Sequence, residues 1–273
     1  MFAIIGGSGL ASLTELVRRR REVVRTPYGD PSCALTFGAI EGVDLVFLAR
    51  HGYGHTIAPH EINYRANLWA LREVGATQVL AVATVGGIRA DFGPGALVIP
   101  DQIIDYTNAR KGTFFEGPDD PVTHIDFTNP YSEIVRARFA AAARLIGETV
   151  ALGGTYGCTQ GPRLETAAEI RRMQRDGCDL VGMTGMPEAA LARELELPYG
   201  ALAVVANHAA GIGESAQAIS LDAIGVVMNL AMERVRRILA ACLRGGNAPA
   251  AGAPAISAAA ASASASGGKF EAS

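Results

Sequence analysis

Apolar residues fall along this chain in two arrangements, short β-branched runs and longer stretches with helical spacing. FAII (2–5) reads as a strand that stops on Gly6-Gly7-Ser8-Gly9. LASLTELVRRR follows with helical spacing, and the cations Arg18 to Arg21 suit the negative end of a helix dipole. CALTFGAI and VDLVFLARH read as two strands joined at Glu41-Gly42. Asn63 is placed to cap the helix YRANLWALREV, which Gly75 ends. TQVLAVATVGG (77–87) is an unbroken run and predicts a strand buried on both faces. ALVIPDQIIDY predicts another strand.

The second half continues the alternation. Asn129-Pro130 predicts the start of a helix to about Leu145, with proline at the first position. TVALGGTYGCTQG reads as strand then loop, and Thr166 with Glu169 has capping-box spacing for the helix AAEIRRMQRDG. Asp179 to Met183 is a short strand, Pro187 opens the helix EAALARELE, and YGALAVVANHA is the last strand. LDAIGVVMNLAMERVRRILAACLR is the last helix. This order predicts an α/β fold with a mixed, largely buried sheet, in one domain over 1–244. From residue 245 Ala, Ser, Gly and Pro dominate. Such a segment buries too little apolar surface to offset its ordering entropy, so 245–273 predicts a disordered tail.

Composition narrows the class. The 273 residues are 49% hydrophobic, enough for a substantial core. A net charge of -3 gives no positive field to gather phosphate backbones, which argues against nucleic acid as a partner. No apolar run approaches the ~20 residues of a membrane helix, and MFAIIGGSGL lacks the basic start of a signal peptide. Cys33, Cys158, Cys178 and Cys242 have no CxxC spacing and read as free thiols in a reducing cytoplasm.

Chemistry in α/β folds gathers at the carboxyl ends of strands. Gly6-Gly7-Ser8-Gly9 lets the backbone approach an anion, although a plain tight turn reads equally well from those residues alone. Arg50-His51 ends another strand, and arginine offers phosphate a planar fork; a surface ion pair is the ordinary alternative. Thr84-Val85-Gly86-Gly87, Gly161 to Glu165, and Met183 to Pro187 complete the set. The hydroxyls and cations of Ser8, Arg50, His51, Thr84 and Thr184 suit one oxyanion better than a metal. His51 and His55 are four apart, but the intervening glycines and Pro59 argue against the helix that would pair them on zinc.

Several motifs together are specific: IIGGSGL, ARHGYGHTIAPHEINYRANLWAL, VATVGGI, GTYGCTQGPRLETAAEI and VGMTGMPEAALARE. From Met1 to about Arg244 the chain resembles the trimeric purine nucleoside phosphorylase and methylthioadenosine phosphorylase family. The resemblance implies a single nucleoside-phosphorylase-type domain, with a distorted, barrel-like mixed sheet flanked by helices. It also implies phosphate held by Ser8, Arg50, His51, Thr84 and Thr184, Met183 against the ribose, and a homotrimer with sites at subunit interfaces. His124 resembles the histidine that reaches a neighbouring subunit's 5′ pocket. Inorganic phosphate is then a co-substrate, and no metal or organic cofactor is needed.

The base pocket departs from the family's adenine branch, which carries two aspartates two apart where this chain has Asn207 and Ala209. An amide donates to a 6-oxo oxygen and accepts from a protonated ring nitrogen 7. Glu165 would accept the ring nitrogen 1 hydrogen of a 6-oxopurine. A mismatched site leaves buried groups unpaired at about 1–3 kcal/mol each. A base pocket of Leu164, Glu165, Asn207, His208 and Ala209 is therefore expected to prefer hypoxanthine. Without the resemblance, Asn207 reads as a strand-end amide that satisfies local backbone. At the sugar end Leu221 and Ile224 stand where a generic purine nucleoside phosphorylase supplies a histidine, and an apolar pocket suits a methylthio group. The expected reaction is phosphorolysis of 5′-methylthioinosine in purine salvage, with Asn207 aiding departure of the base. Inosine or guanosine phosphorolysis is the nearest alternative, followed by adenine-specific phosphorolysis. A dinucleotide oxidoreductase or a non-catalytic nucleoside-binding module explains fewer of the residues.

Overall fold

In the computed structural model, residues 1–10, 12–117, 121–219 and 221–244 are described. The expected tail, 245–273, lies outside the described residues. The described residues form a mixed α/β fold. Its strands are β1 (Phe2–Gly6), β2 (Val17–Glu22), β3 (Leu35–Ile40), β4 (Val43–Ala49), β5 (Gln78–Gly87), β6 (Leu97–Ile99), β7 (Gln102–Asp105), β8 (Ala151–Leu152), β9 (Thr155–Cys158), β10 (Leu180–Gly182) and β11 (Tyr199–His208). Its helices are α1 (Tyr64–Glu73), α2 (Glu133–Leu145), α3 (Ala167–Arg175), α4 (Glu188–Glu194) and α5 (Leu221–Arg244). None of the described helices is long and apolar enough to cross a membrane.

The strands join in one sheet that forks at β5. Its first half pairs in parallel with β1, while its end, Gly86–Gly87, pairs antiparallel with β10. Along its other edge β5 pairs in parallel with β11. Side chains alternate as the pleat requires. Phe2, Ile4, Leu80, Val82, Leu202 and Val204 join one cluster with Val135 and Phe139 of α2 and Met232, Val235 and Leu239 of α5. Ala3, Ile5, Val79, Ala81 and Ala201 join the opposite cluster with Leu68 and Leu71 of α1 and Leu191 of α4. The unbroken apolar runs in the sequence follow from this double burial.

Near its end β11 slips by one residue. Val205 pairs with Val85 and Asn207 with Gly86, so Ala206 is a bulged residue. The bulge puts Ala206 and Asn207 together on the cavity wall described below, and His208 lies beside Gly93 and Gly213.

Three expectations need correction. The described residues of 10–20 form no helix: Leu10, Leu13 and Leu16 are buried in a turning segment, and the arginine run lies on the edge strand β2, paired with β3. Non-local pairing overrides the local helical spacing there. The second-half helix begins at Glu133 after Ser132, not at Pro130. ALVIPDQIIDY is two strands, broken at Pro100-Asp101. The caps hold: the Asn63 side chain accepts from the Ala66 amide, and Thr166 with Glu169 forms a reciprocal capping box. Cys158, Cys178 and Cys242 are buried free thiols, and Cys33 is half-buried.

Candidate active site

A cavity of about 800 Å³, counting its open mouth, lies in the fork of the sheet. Its walls come from the ends of β1, β4, β5, β10 and β11, the segment before α3, and the start of α5. Ser8, Arg50, His51, Thr84, Leu164, Glu165, Met183, Thr184, Asn207, Ala209 and Ile224 all line it. Residues separated by more than 200 positions thus meet where the sheet divides. Pro59 and Ile219 line it as well, and neither was expected there from the sequence.

Ser8, Arg50, His51, Thr84 and Thr184 all belong to the cavity wall. Arg50 is 1% exposed. Its Nε and Nη2 each donate to the Glu188 carboxylate at 2.7 Å, and its Nη1 donates to the Val82 carbonyl at 2.8 Å. A guanidinium has five N–H groups, so one remains on each terminal nitrogen. Gly7 makes room for them: a Cβ there would come within 2.9 Å of Arg50 Nη1. Burial alone would lower the Arg50 pKa and is the largest single influence, but the charge and hydrogen bonds of Glu188 outweigh it, so the guanidinium stays charged.

His51 Nδ1 lies 2.9 Å from the Ile57 carbonyl. A carbonyl only accepts, so the proton is on Nδ1 and Nε2 is an acceptor in the neutral ring. Burial, aided by the Arg50 charge, pulls its pKa down to about 4 against the bond to Ile57. The Thr84 hydroxyl donates to the Ser8 carbonyl at 3.1 Å, which ties β5 to the loop after β1. In this arrangement Thr84 offers an oxyanion no proton. The Thr184 amide donates to the Tyr156 hydroxyl at 3.4 Å, and the Ser8 hydroxyl lies 3.4 Å from His55 Nε2.

Also on the wall, the Asn207 amide donates one hydrogen to the His208 carbonyl at 2.5 Å. The local backbone satisfaction foreseen for a strand-end amide is therefore present, and it uses one of two N–H groups. The second N–H and the amide oxygen stay available to a ligand. Glu165 is the sole carboxylate among the described lining residues. The Thr159 hydroxyl donates to its Oε1 at 2.6 Å and orients it.

One expected residue of the base pocket lies elsewhere, and two others are not placed by this cavity. His208 does not line the cavity, since the strand turns it toward Gly93 and Gly213, and its Nδ1 is buried with no hydrogen-bond partner. His124 is exposed and away from this cavity. Leu221 is the first residue of α5, and its side chain lies outside what the structure describes. Two supporting residues carried no sequence signal of their own. Arg110 donates to the carbonyls of Thr159, Gln160, Met183 and Met186 and so rivets two lining loops together. Glu188 is wholly buried, and as the residue after Pro187 it had registered only as a helix start.

The sequence profile of the Phosphorylase superfamily matches residues 1–244. The chain belongs to the phosphorylase superfamily. This phosphorylase is 56% identical over 213 residues to a probable S-methyl-5'-thioinosine phosphorylase of Xanthomonas campestris pv. campestris, covering 78% of this chain and 85% of the relative. It is 48% identical over 215 residues to the 6-oxopurine nucleoside phosphorylase of Pyrococcus furiosus, covering 77% and 80% of the two chains. Among solved structures, the methylthioadenosine phosphorylase of Schistosoma mansoni in complex with adenine superposes with a TM-score of 0.82 at 33% identity. That match covers 88% of this chain and 90% of the other. The phosphorylase is thus a pentosyltransferase with the fold of the adenine-binding enzyme.

Proposed function

We propose that this phosphorylase cleaves 5′-methylthioinosine with inorganic phosphate, giving hypoxanthine and 5-methylthioribose 1-phosphate. The observation that carries the proposal is the base end of the cavity, where Asn207 and Ala209 line the wall and Glu165 is the sole acid among the described lining residues. An amide there can donate to a 6-oxo oxygen or accept from ring nitrogen 7, and Glu165 is free to accept from ring nitrogen 1. Among the described lining residues no second carboxylate waits for a 6-amino group. Ile219 and Ile224 line the same cavity and suit an apolar 5′ substituent better than a hydroxyl. The names of the relatives from Xanthomonas and Pyrococcus agree with a 6-oxo base.

Phosphate bound by Arg50, Ser8 and Thr184, with His51 Nε2 accepting from the hydroxyl of hydrogenphosphate, attacks carbon 1 as the base leaves through an oxocarbenium-like transition state. Phosphate is nucleophile and counter-charge together. Asn207 stabilises charge on the departing purine, and a preorganised donor of this kind is worth about 3–4 kcal/mol. We further propose a homotrimer in a cytoplasmic setting, with His124 reaching the 5′ end of a neighbouring subunit's site.

The test is base release from four nucleosides, inosine and adenosine with either a 5′-hydroxyl or a 5′-methylthio group, with and without phosphate. The proposal expects fastest phosphate-dependent release of hypoxanthine from the methylthio substrate. Faster release of adenine overturns the base assignment, and faster cleavage of inosine overturns the sugar assignment in favour of the general 6-oxopurine reading.

A further inference from the structure

Glu188 does not line the cavity, yet it is bonded directly to Arg50, which does. It is 0% exposed, and both its oxygens accept from Arg50. The Tyr199 hydroxyl adds a third bond, donating to Glu188 Oε1 at 2.8 Å. The partners come from three elements: Arg50 follows β4, Glu188 opens α4, and Tyr199 begins β11. Three elements are therefore committed to the orientation of one guanidinium.

A buried carboxylate beside a phosphate-binding cation has two opposed effects. Its charge cancels part of the attraction that the cation offers an anion, so Coulomb's law alone predicts weaker phosphate binding. Its geometry acts the other way. A two-point fork fixes the plane of the guanidinium, whereas the remaining bond to the Val82 carbonyl leaves the plane free to rotate. An arginine that must be ordered by its ligand gives up rotamer freedom on binding, and one ordered beforehand does not. Burial decides between the effects, because a lone charge at this depth is unstable and would turn toward any other acceptor.

We propose that Glu188, steadied by Tyr199, is a positioning residue for phosphate. It holds Arg50 so that Nη1 stays beside Gly7 and the unused N–H groups keep a fixed orientation. The inference rests on the phosphorolysis reading.

The two effects differ in sign, so the experiment is decisive. Steady-state kinetics of Glu188→Gln are measured with phosphate varied at saturating nucleoside, and with nucleoside varied at saturating phosphate. Positioning predicts a phosphate KM raised by about tenfold or more, with the nucleoside KM moved by less than about twofold. Charge cancellation alone predicts a lower phosphate KM. Tyr199→Phe removes a single hydroxyl and is expected to raise the phosphate KM about threefold, again with little change for the nucleoside. A phosphate KM that stays level or falls in folded Glu188→Gln overturns the proposal. Should that variant not fold, Tyr199→Phe decides by the same criterion. Base release by the unaltered enzyme without phosphate would instead defeat the phosphorolysis reading and is seen separately.

Discussion

Exchanging Asn207 for aspartate tests base selection directly. The two side chains have nearly the same shape, but aspartate has no donor. Against a 6-oxo oxygen the change replaces an available N–H with an acceptor, at about 1–3 kcal/mol for the group left unpaired. That lowers kcat/KM for methylthioinosine roughly 5- to 150-fold. Against a 6-amino group the same change supplies the missing acceptor. The preference for hypoxanthine over adenine should therefore fall by about 30-fold or more. A second cost is local, because the bond to the His208 carbonyl is lost and two oxygens approach. That costs about 1 kcal/mol in stability, visible as a lower melting temperature but neutral between substrates. The assay is phosphate-dependent base release from matched methylthioinosine and methylthioadenosine. A preference ratio within twofold of the parent enzyme would show that residue 207 does not read position 6.

Asn207→Ala should lower kcat for methylthioinosine about 100-fold in a stopped assay of hypoxanthine release. Ile224→Ser removes apolar wall from the cavity, and the preference for methylthioinosine over inosine should drop about tenfold in competition assays. Arg110→Met strips the donors from four carbonyls, so the melting temperature should fall by at least about 6 °C. His51 makes stability depend on pH. Its folded pKa of about 4 lies below the ordinary 6.5, so between those values the unfolded chain takes a proton that the folded chain refuses. Its contribution is full above pH 6.5 and is lost as pH falls toward 4. The difference in melting temperature between His51→Gln and the parent should accordingly shrink over that window.

The sequence displayed the parts of this molecule that local chemistry decides. β5 and β11 are legible because burial on both faces demands unbroken apolar runs, and α1 and α3 because their caps are short-range hydrogen bonds. β2 was not legible, since an edge strand rich in arginine takes its pairing from β3. The strand-end residues of the site could be found because α/β topology brings strand ends together. Glu188 and Arg110 could not, because their partners lie about 50 to 140 positions away and a buried ion pair leaves no periodic trace. His208 misled for the opposite reason, being next to Asn207 in the chain but on the other face of the strand.

The slip in β11 matters beyond its size. A pleat continued regularly from Val205 would point residue 207 the same way as Val205, into the apolar cluster with Val85 and Phe92. One surplus alanine instead advances the phase of the strand, so that an amide lines the cavity. The identity of residue 207 can therefore govern chemistry only because the ladder miscounts just before it. Grafting the same asparagine onto a strand that keeps count would bury a polar group and leave selectivity untouched.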